Sequence, residues 1–278
     1  MSLATGGSVR IALAQMLSTT DPQENLRTLT DLTVQATDRA ADVVVFPEAA
    51  MCAFSGSVAD AAEPLNGPWA RQVASLAAAH QVTIVAGMFT PAPDGRTRNT
   101  LLVTDGVVID GYDKIHLYDA FGYRESDTMQ AGTDLLLRDI GGVRFGFATC
   151  YDVRFPEQFV ALAEAGAQVV VVSASWGDGP GKADAWRLLT TARALDSTCF
   201  VAACGQADPA SVGGPSGPGP LGVGHSRLVA PDGTLVGALD QEPGLLVEDL
   251  DLAALESTRR TLPVMTNRVR LAAPAVLA

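Results

Sequence analysis

Short apolar runs alternate along the chain with stretches of helical spacing, so strand and helix take turns from the start. Residues 9–15 alternate like a first strand. Asp21-Pro22-Gln23-Glu24 then supplies an N-cap, a first-turn proline and an acid three residues after the cap, predicting a helix to about Arg39. Residues 43–46 read as a buried strand, 68–80 as a helix opening on proline, and 82–88 as another strand. Asp94-Gly95 marks a hairpin turn, and strands around Leu101 and Val108 lead to Lys114. The polar stretch 119–133 is a loop long enough to be functional. Residues 143–149 form a strand, and Pro156 opens a helix. Residues 168–173 are nearly continuous in β-branched side chains, as expected of a strand covered on both faces. A helix over 183–196, a strand over 199–204, closing strands near 225–229, 235–238 and 245–250, and a short helix capped by Asp251 complete the pattern. Two such halves predict an α/β fold with two sheets between helix layers. No short repeat is visible.

A chain of 278 residues with 47% hydrophobic content can bury a large core, and we read residues 1–278 as one domain, with 1–7 flexible. The Gly, Pro and Ser-rich stretch 206–224 reads as a surface loop, not a boundary. The net charge of −12 argues against nucleic acid or an anionic membrane as partner. The first residues lack the pattern of a secretion signal, and no apolar run has membrane-span length, which suggests a cytoplasmic protein. Cys52, Cys150, Cys199 and Cys204 fit reduced thiols better than a disulfide framework. His80, His116 and His225 are too scattered for a metal site with recognisable spacing, and no phosphate-binding glycine motif follows a strand. The segment 264–278 is apolar without helical periodicity and is expected to lie against something.

Chemistry is concentrated where strands end. Residues 43–46 run into Pro47-Glu48, the strand near 108 runs toward Lys114, and residues 143–149 run into Cys150, just before Pro156. A free cysteine is more often a small buried hydrophobe than a nucleophile, and a lone lysine or glutamate is usually solvated. A thiol, an acid and an amine, each at a strand end, change that balance. Together they provide a nucleophile, a base to take its proton, and positive charge where an oxyanion grows.

Phe46-Pro47-Glu48, then residues 113–119 (Asp-Lys-Ile-His-Leu-Tyr-Asp), then residues 150–157 (Cys-Tyr-Asp-Val-Arg-Phe-Pro-Glu) resemble, in order and spacing, the three signature blocks of the nitrilase superfamily of carbon–nitrogen hydrolases. Glu125-Ser126 followed by Gly132 resembles the block that carries the family's second glutamate. The resemblance spans roughly residues 8–268 and is nearest to the branch of omega-amidases and deaminated-glutathione amidases. True nitrilases usually have Cys-Trp-Glu where this chain has Cys-Tyr-Asp.

The resemblance implies an α-β-β-α sandwich and a cofactor-free hydrolase acting on a small linear amide, with water as co-substrate. Cys150 would form a thioester, Glu48 would be the base, and Lys114 with the Tyr151 backbone N–H would hold the oxyanion. Glu125 would position Lys114 and the substrate or share in proton transfer. Trp176 is expected in the pocket wall, with the rest of 176–182. Asp152, Arg154 and Glu157 are expected to form an ion-pair network holding the corner. The family pattern also implies a homodimer or higher homo-oligomer, with the C-terminal segment at the interface. Alternatives are a nitrile or N-carbamoyl hydrolase of the same superfamily, a Cys–His hydrolase pairing Cys150 with His116 or His225, and a catalytically silent binding or scaffold member. Complete Glu, Lys, Cys and second Glu positions argue against the last. The substrate's acyl group is not legible in the sequence.

Overall fold

The computed structural model describes residues 9–217 and 219–269. Its first half runs β1 (Arg10–Gln15), α1 (Pro22–Thr37), β2 (Val43–Val45), α2 (Val58–Ala61), α3 (Pro68–His80), β3 (Thr83–Pro91), β4 (Thr97–Thr104) and β5 (Ile109–Asp113). A small hairpin, β6 (Asp119–Ala120) with β7 (Tyr123–Arg124), leads to the second half. There follow β8 (Leu137–Ile140), β9 (Val143–Thr149), α4 (Pro156–Glu164), β10 (Val169–Ala174), α5 (Lys182–Ser197), β11 (Phe200–Gly205), β12 (Arg227–Val229) and β13 (Leu235–Ala238). The strand β14 (Gly244–Asp249) and the helices α6 (Leu252–Thr261) and α7 (Val264–Asn267) close the described chain.

Two six-stranded mixed sheets result, ordered β14-β1-β2-β3-β4-β5 and β8-β9-β10-β11-β12-β13. Read in that direction, each pairs antiparallel, parallel, parallel, antiparallel, antiparallel. The halves therefore share an architecture that no repeated sequence announces.

Strand alternation builds the layers. Val43 and Val45 enter the core between the sheets with Phe145, Phe147, Val169 and Val171. Val44, one residue out of phase, faces Leu29 of α1 and Val73 of α3, while Ala148, Val170 and Val172 face Phe159 and Trp186 on the opposite side. This α-β-β-α arrangement is the expected one. Among the described residues no helix is long and apolar enough to cross a membrane.

Local differences have local causes. Asp21 caps α1 by accepting from the Gln23 N–H, but Glu24 accepts from the Thr19 hydroxyl instead of reaching back to the cap. The loop over 119–133 contains the β6–β7 hairpin and a 3-10 turn, Glu125–Asp127, because Asp119 accepts from both the amide and the hydroxyl of Ser126. Val264–Asn267 forms a helical turn too short for periodicity to reveal. Residues 1–7, read as flexible, lie outside the described residues, as does the tail beyond residue 269.

One close approach controls the site. Gly87 of β3 runs against the turn after β2, and a Cβ there would lie 2.5 Å from the Ala49 nitrogen and 2.7 Å from the Glu48 Cα. Both neighbours are backbone, so neither can yield without moving Glu48. Gly87→Ala is expected to cost about 1–3 kcal/mol of stability by overpacking, measured as the urea midpoint at constant m-value. A variant as stable as its parent would mean that the Glu48 turn shifts freely.

Candidate active site

The four residues in question stand at ends and turns. Glu48 follows β2 in a turn continued by Ala49 at φ +58°. Lys114 follows β5, its N–H donating to the Asn99 carbonyl (2.9 Å) and its carbonyl accepting from Gly132 (2.8 Å). A Cβ on Gly132 would lie 2.2 Å from the Asp113 carbonyl oxygen, so this crossing admits only glycine. Glu125 opens the 3-10 turn after β7. Cys150 follows β9 at φ +48°, a left-handed conformation rare for a residue with a side chain, and begins a 3-10 helix (Cys150–Arg154) that the sequence reading did not anticipate. The N–H of Tyr151 lies in the first turn of that helix, where amides have no intrahelical partner.

Glu48, Lys114, Glu125 and Cys150 line one small pocket of about 90 Å³, and all four are buried. The Lys114 ammonium donates to Glu48 Oε1 (3.1 Å) and to Glu125 Oε1 (3.1 Å) and Oε2 (2.8 Å). Glu48 Oε2 accepts the Ser175 N–H (2.7 Å), and Glu125 Oε2 accepts the Tyr118 N–H (2.6 Å). Burial works against the Lys114 charge, yet Glu48 and Glu125 outweigh it and hold the ammonium's pKa well above its usual range. Burial pushes the Cys150 thiol well up, and the charge of Glu48 adds to the rise while Lys114 opposes it. The thiol therefore rests protonated and needs a base to become a nucleophile.

Asp152 is fully buried and accepts from the Tyr112 hydroxyl (2.6 Å), the His116 N–H (2.9 Å) and the Thr149 N–H (2.8 Å), with His116 Nδ1 2.8 Å away. It ties the segment after Lys114 to the turn holding Cys150. The expected ion-pair network of Asp152, Arg154 and Glu157 is absent among the described residues. Asp152 is satisfied by neutral donors and His116, the Arg154 guanidinium lies 5.3 Å from the Trp176 ring, and Glu157 points to solvent from the first turn of α4. Exposed, Glu157 has no desolvation cost for a partner to offset.

Of the stretch 176–182 expected in the pocket wall, Trp176, Gly177 and Lys182 line it and residues 178–181 do not, while Phe54, Tyr118 and Tyr123 join the wall. Tyr151 packs edge-on against Tyr118 without lining the pocket through its side chain. The stretch 206–224, read as a surface loop, also reaches the site. Gly219 and Pro220 line the pocket, the Pro220 carbonyl accepts from Ser175 Oγ (2.6 Å), and Gln206 Nε2 donates to the Glu48 carbonyl (3.0 Å). Sequence reading missed Asn99, whose Nδ2 donates to Glu48 Oε1 (2.7 Å) and Glu125 Oε1 (3.2 Å). Its one signal was an amide directly preceding the apolar part of a strand. The histidines are engaged elsewhere: His116 stacks on Phe155 and meets Asp152, and His225 meets Arg187.

The profile of the carbon-nitrogen hydrolase family matches residues 10–260. A Mycobacterium tuberculosis protein named as a hydrolase is 45% identical over 267 residues, covering 94% of this chain and 95% of its own. The deaminated glutathione amidase of Escherichia coli O157:H7 is 32% identical over 273 residues, 96% of this chain and 99% of that protein. The amidase of Nesterenkonia AN1, from the nitrilase superfamily, superposes with a TM-score of 0.76 at 28% identity, over 94% of this chain and 98% of that one. One solved form of that enzyme carries acrylamide added at its active-site cysteine.

Access and a neighbouring carboxylate distinguish Cys150 from the other thiols. Burial raises the pKa of all four, but Cys150 lines the pocket, whereas Cys52, Cys199 and Cys204 are buried away from it. Iodoacetamide near neutral pH is therefore expected to label Cys150 first, with activity lost in proportion. Peptide mapping that finds another cysteine modified in step with inactivation would refute the assignment.

Proposed function

The chain belongs to the carbon-nitrogen hydrolase family, within the nitrilase superfamily, and on that premise we propose that it is a cysteine amidase converting a small primary amide to carboxylic acid and ammonia. The observation that carries the reading is the convergence of a thiol, two carboxylates and an ammonium, all buried, on one pocket. In the proposed cycle the Cys150 thiol gives its proton to Glu48, and the sulfur attacks the amide carbon. The oxyanion forms against the Lys114 ammonium and the Tyr151 N–H. The C–N bond breaks as Glu48 returns the proton to the departing nitrogen, leaving a thioester and ammonia. Glu48 then takes a proton from water, the hydroxide attacks the thioester, and the thiol is released with that proton. Glu125 holds Lys114 and the substrate nitrogen in register or shares in the proton transfer.

The pocket mouth suggests the acyl group. The Lys182 ammonium lies 3.9 Å from the Phe121 ring centroid and 3.2 Å from the Tyr118 hydroxyl, and it pairs with no carboxylate among the described residues. We infer an acyl portion bearing a carboxylate that this ammonium reads. Deaminated glutathione, named in the relatives, is the first member of a panel that also holds omega-amides of keto acids, uncharged aliphatic amides, nitriles and N-carbamoyl compounds. We also infer a cytoplasmic homodimer shielding the apolar segment 264–278, with Leu188 and Leu195 exposed on α5 as further apolar surface. Sedimentation of a chain ending at Pro263 is expected to show monomer or aggregate; an unchanged dimer would make the segment dispensable.

The catalytic roles separate by substitution, with ammonia release as readout and circular dichroism as the check on folding. Glu48→Gln keeps shape but cannot take a proton, so turnover should fall by about 10²- to 10⁴-fold or more. Lys114→Arg puts a planar fork where a compact ammonium sits and should be nearly as damaging as Lys114→Ala. Glu125→Gln should be milder if the residue only positions its neighbours and equally severe if it moves protons. His225→Ala should keep most activity, and His116→Ala should lose thermal stability before turnover. Near-normal rates in Glu48→Gln together with collapse in a folded histidine variant would mean that a histidine is the base.

A further inference from the structure

The two glutamates share their donors. Glu48 Oε1 and Glu125 Oε1 each accept from the same two nitrogens, Lys114 Nζ (3.1 Å to both) and Asn99 Nδ2 (2.7 and 3.2 Å). One ammonium balances only one of two carboxylates. Two like charges in one dry site normally force a proton onto one of them. Neutral donors oppose that here, the N–H of Ser175 on Glu48, the N–H of Tyr118 on Glu125, and the Asn99 amide on both. Among the described residues only Asn99 is a neutral donor common to the pair.

We propose that Asn99 is a positioning residue that keeps Glu48 and Glu125 side by side as carboxylates, so that Glu48 is free to take the proton of Cys150. The proposal rests on the amidase reading of this site. Asn99 is 1% exposed in β4, and its carbonyl also receives the Lys114 N–H, so one residue sets both the main chain and the side-chain partners of the ammonium. The amide nitrogen faces the two carboxyl groups and donates to both. Its Oδ1 is left buried without a partner, a cost that the nitrogen's two bonds explain. The other titrating groups facing the pair are Lys114, Cys150 and, from the hairpin, Tyr123, whose hydroxyl pKa is raised by burial and then by Glu125.

Hydrogen bonds to a carboxylate favour its charged form, so removing this donor makes the pair hold a proton to higher pH. Turnover that needs ionised Glu48 must then begin at higher pH. Asn99→Ala and the volume-keeping Asn99→Leu are compared with the parent in two profiles. One is kcat/KM for a small amide against pH, and the other is the iodoacetamide alkylation rate of Cys150 against pH, which needs no substrate. The acid limb of both should move up by about one pH unit, in variants shown to be folded by thermal melting. Loss of rate with both limbs unmoved would reduce Asn99 to a structural residue and overturn the proposal, as would unchanged behaviour. If no amide yields ammonia, the amidase reading fails, while the alkylation profile still decides the role of Asn99. Carboxyl carbon NMR of the parent protein gives a test independent of any variant. Ionised Glu48 and Glu125 at neutral pH support the proposal, and a protonated partner overturns it.

Discussion

The pocket depends on one buried ammonium. Lys114 is 2% exposed, and its partners Glu48 and Glu125 are 1% and 2% exposed, so three ionisable groups have left water together. Each such transfer costs several kcal/mol, and only close mutual contact with further hydrogen bonds offsets it. Removing one member leaves the others charged and unpaired, at about 3–5 kcal/mol. The ends of β2 and β5 and the turn after β7 are thereby fixed to a single nitrogen. The carboxyl groups that hold the ammonium also keep it charged, as its part in the proposed cycle requires.

Other contacts bring the second sheet to this point. The Ser173 hydroxyl donates to the Phe46 carbonyl (2.7 Å), Ser175 N–H to Glu48 (2.7 Å), and Gln206 Nε2 to the Glu48 carbonyl (3.0 Å). Residues at the end of β10 and just after β10 and β11 thus grip the chain after β2 across the inter-sheet layer. Two of the residues at positive φ, Ala49 and Cys150, stand at this same place. Gly87 makes room for the first turn, and Asp152 holds the second by accepting the Thr149 N–H. The apolar layers supply the rigidity that these few polar contacts then direct.

Reactivity follows from the balance of charge. A thiol whose pKa is raised by burial and by two carboxylates is inert until its proton has somewhere to go, and Glu48 is the neighbouring acceptor in the proposed cycle. At the mouth, aromatic faces and Lys182 form a different environment from the charged floor.

Period and punctuation in the sequence were enough for most elements. Pro68–His80, Val143–Thr149 and Leu235–Ala238 lie where spacing, proline and glycine put them, because those signals act within a few residues. Glu48, Lys114, Glu125 and Cys150 were legible because each sits in a short block resembling a known family. What surrounds them was not. Asn99 reads as one polar residue in a strand, and nothing local says that it meets two carboxylates 51 and 26 residues away. Arg154 and Glu157 flank a buried acid in sequence, yet Asp152 found its partners at Tyr112 and His116. A continuous run such as residues 43–45 cannot state which side chain faces the other sheet and which faces a helix. The sequence by itself determined the elements and the four motif residues that meet in the pocket, since these depend on neighbours along the chain. Tertiary structure alone decided the charge balance of the pocket and the partners of each buried polar group, because desolvation and hydrogen bonding depend on atoms that meet only when the two sheets close.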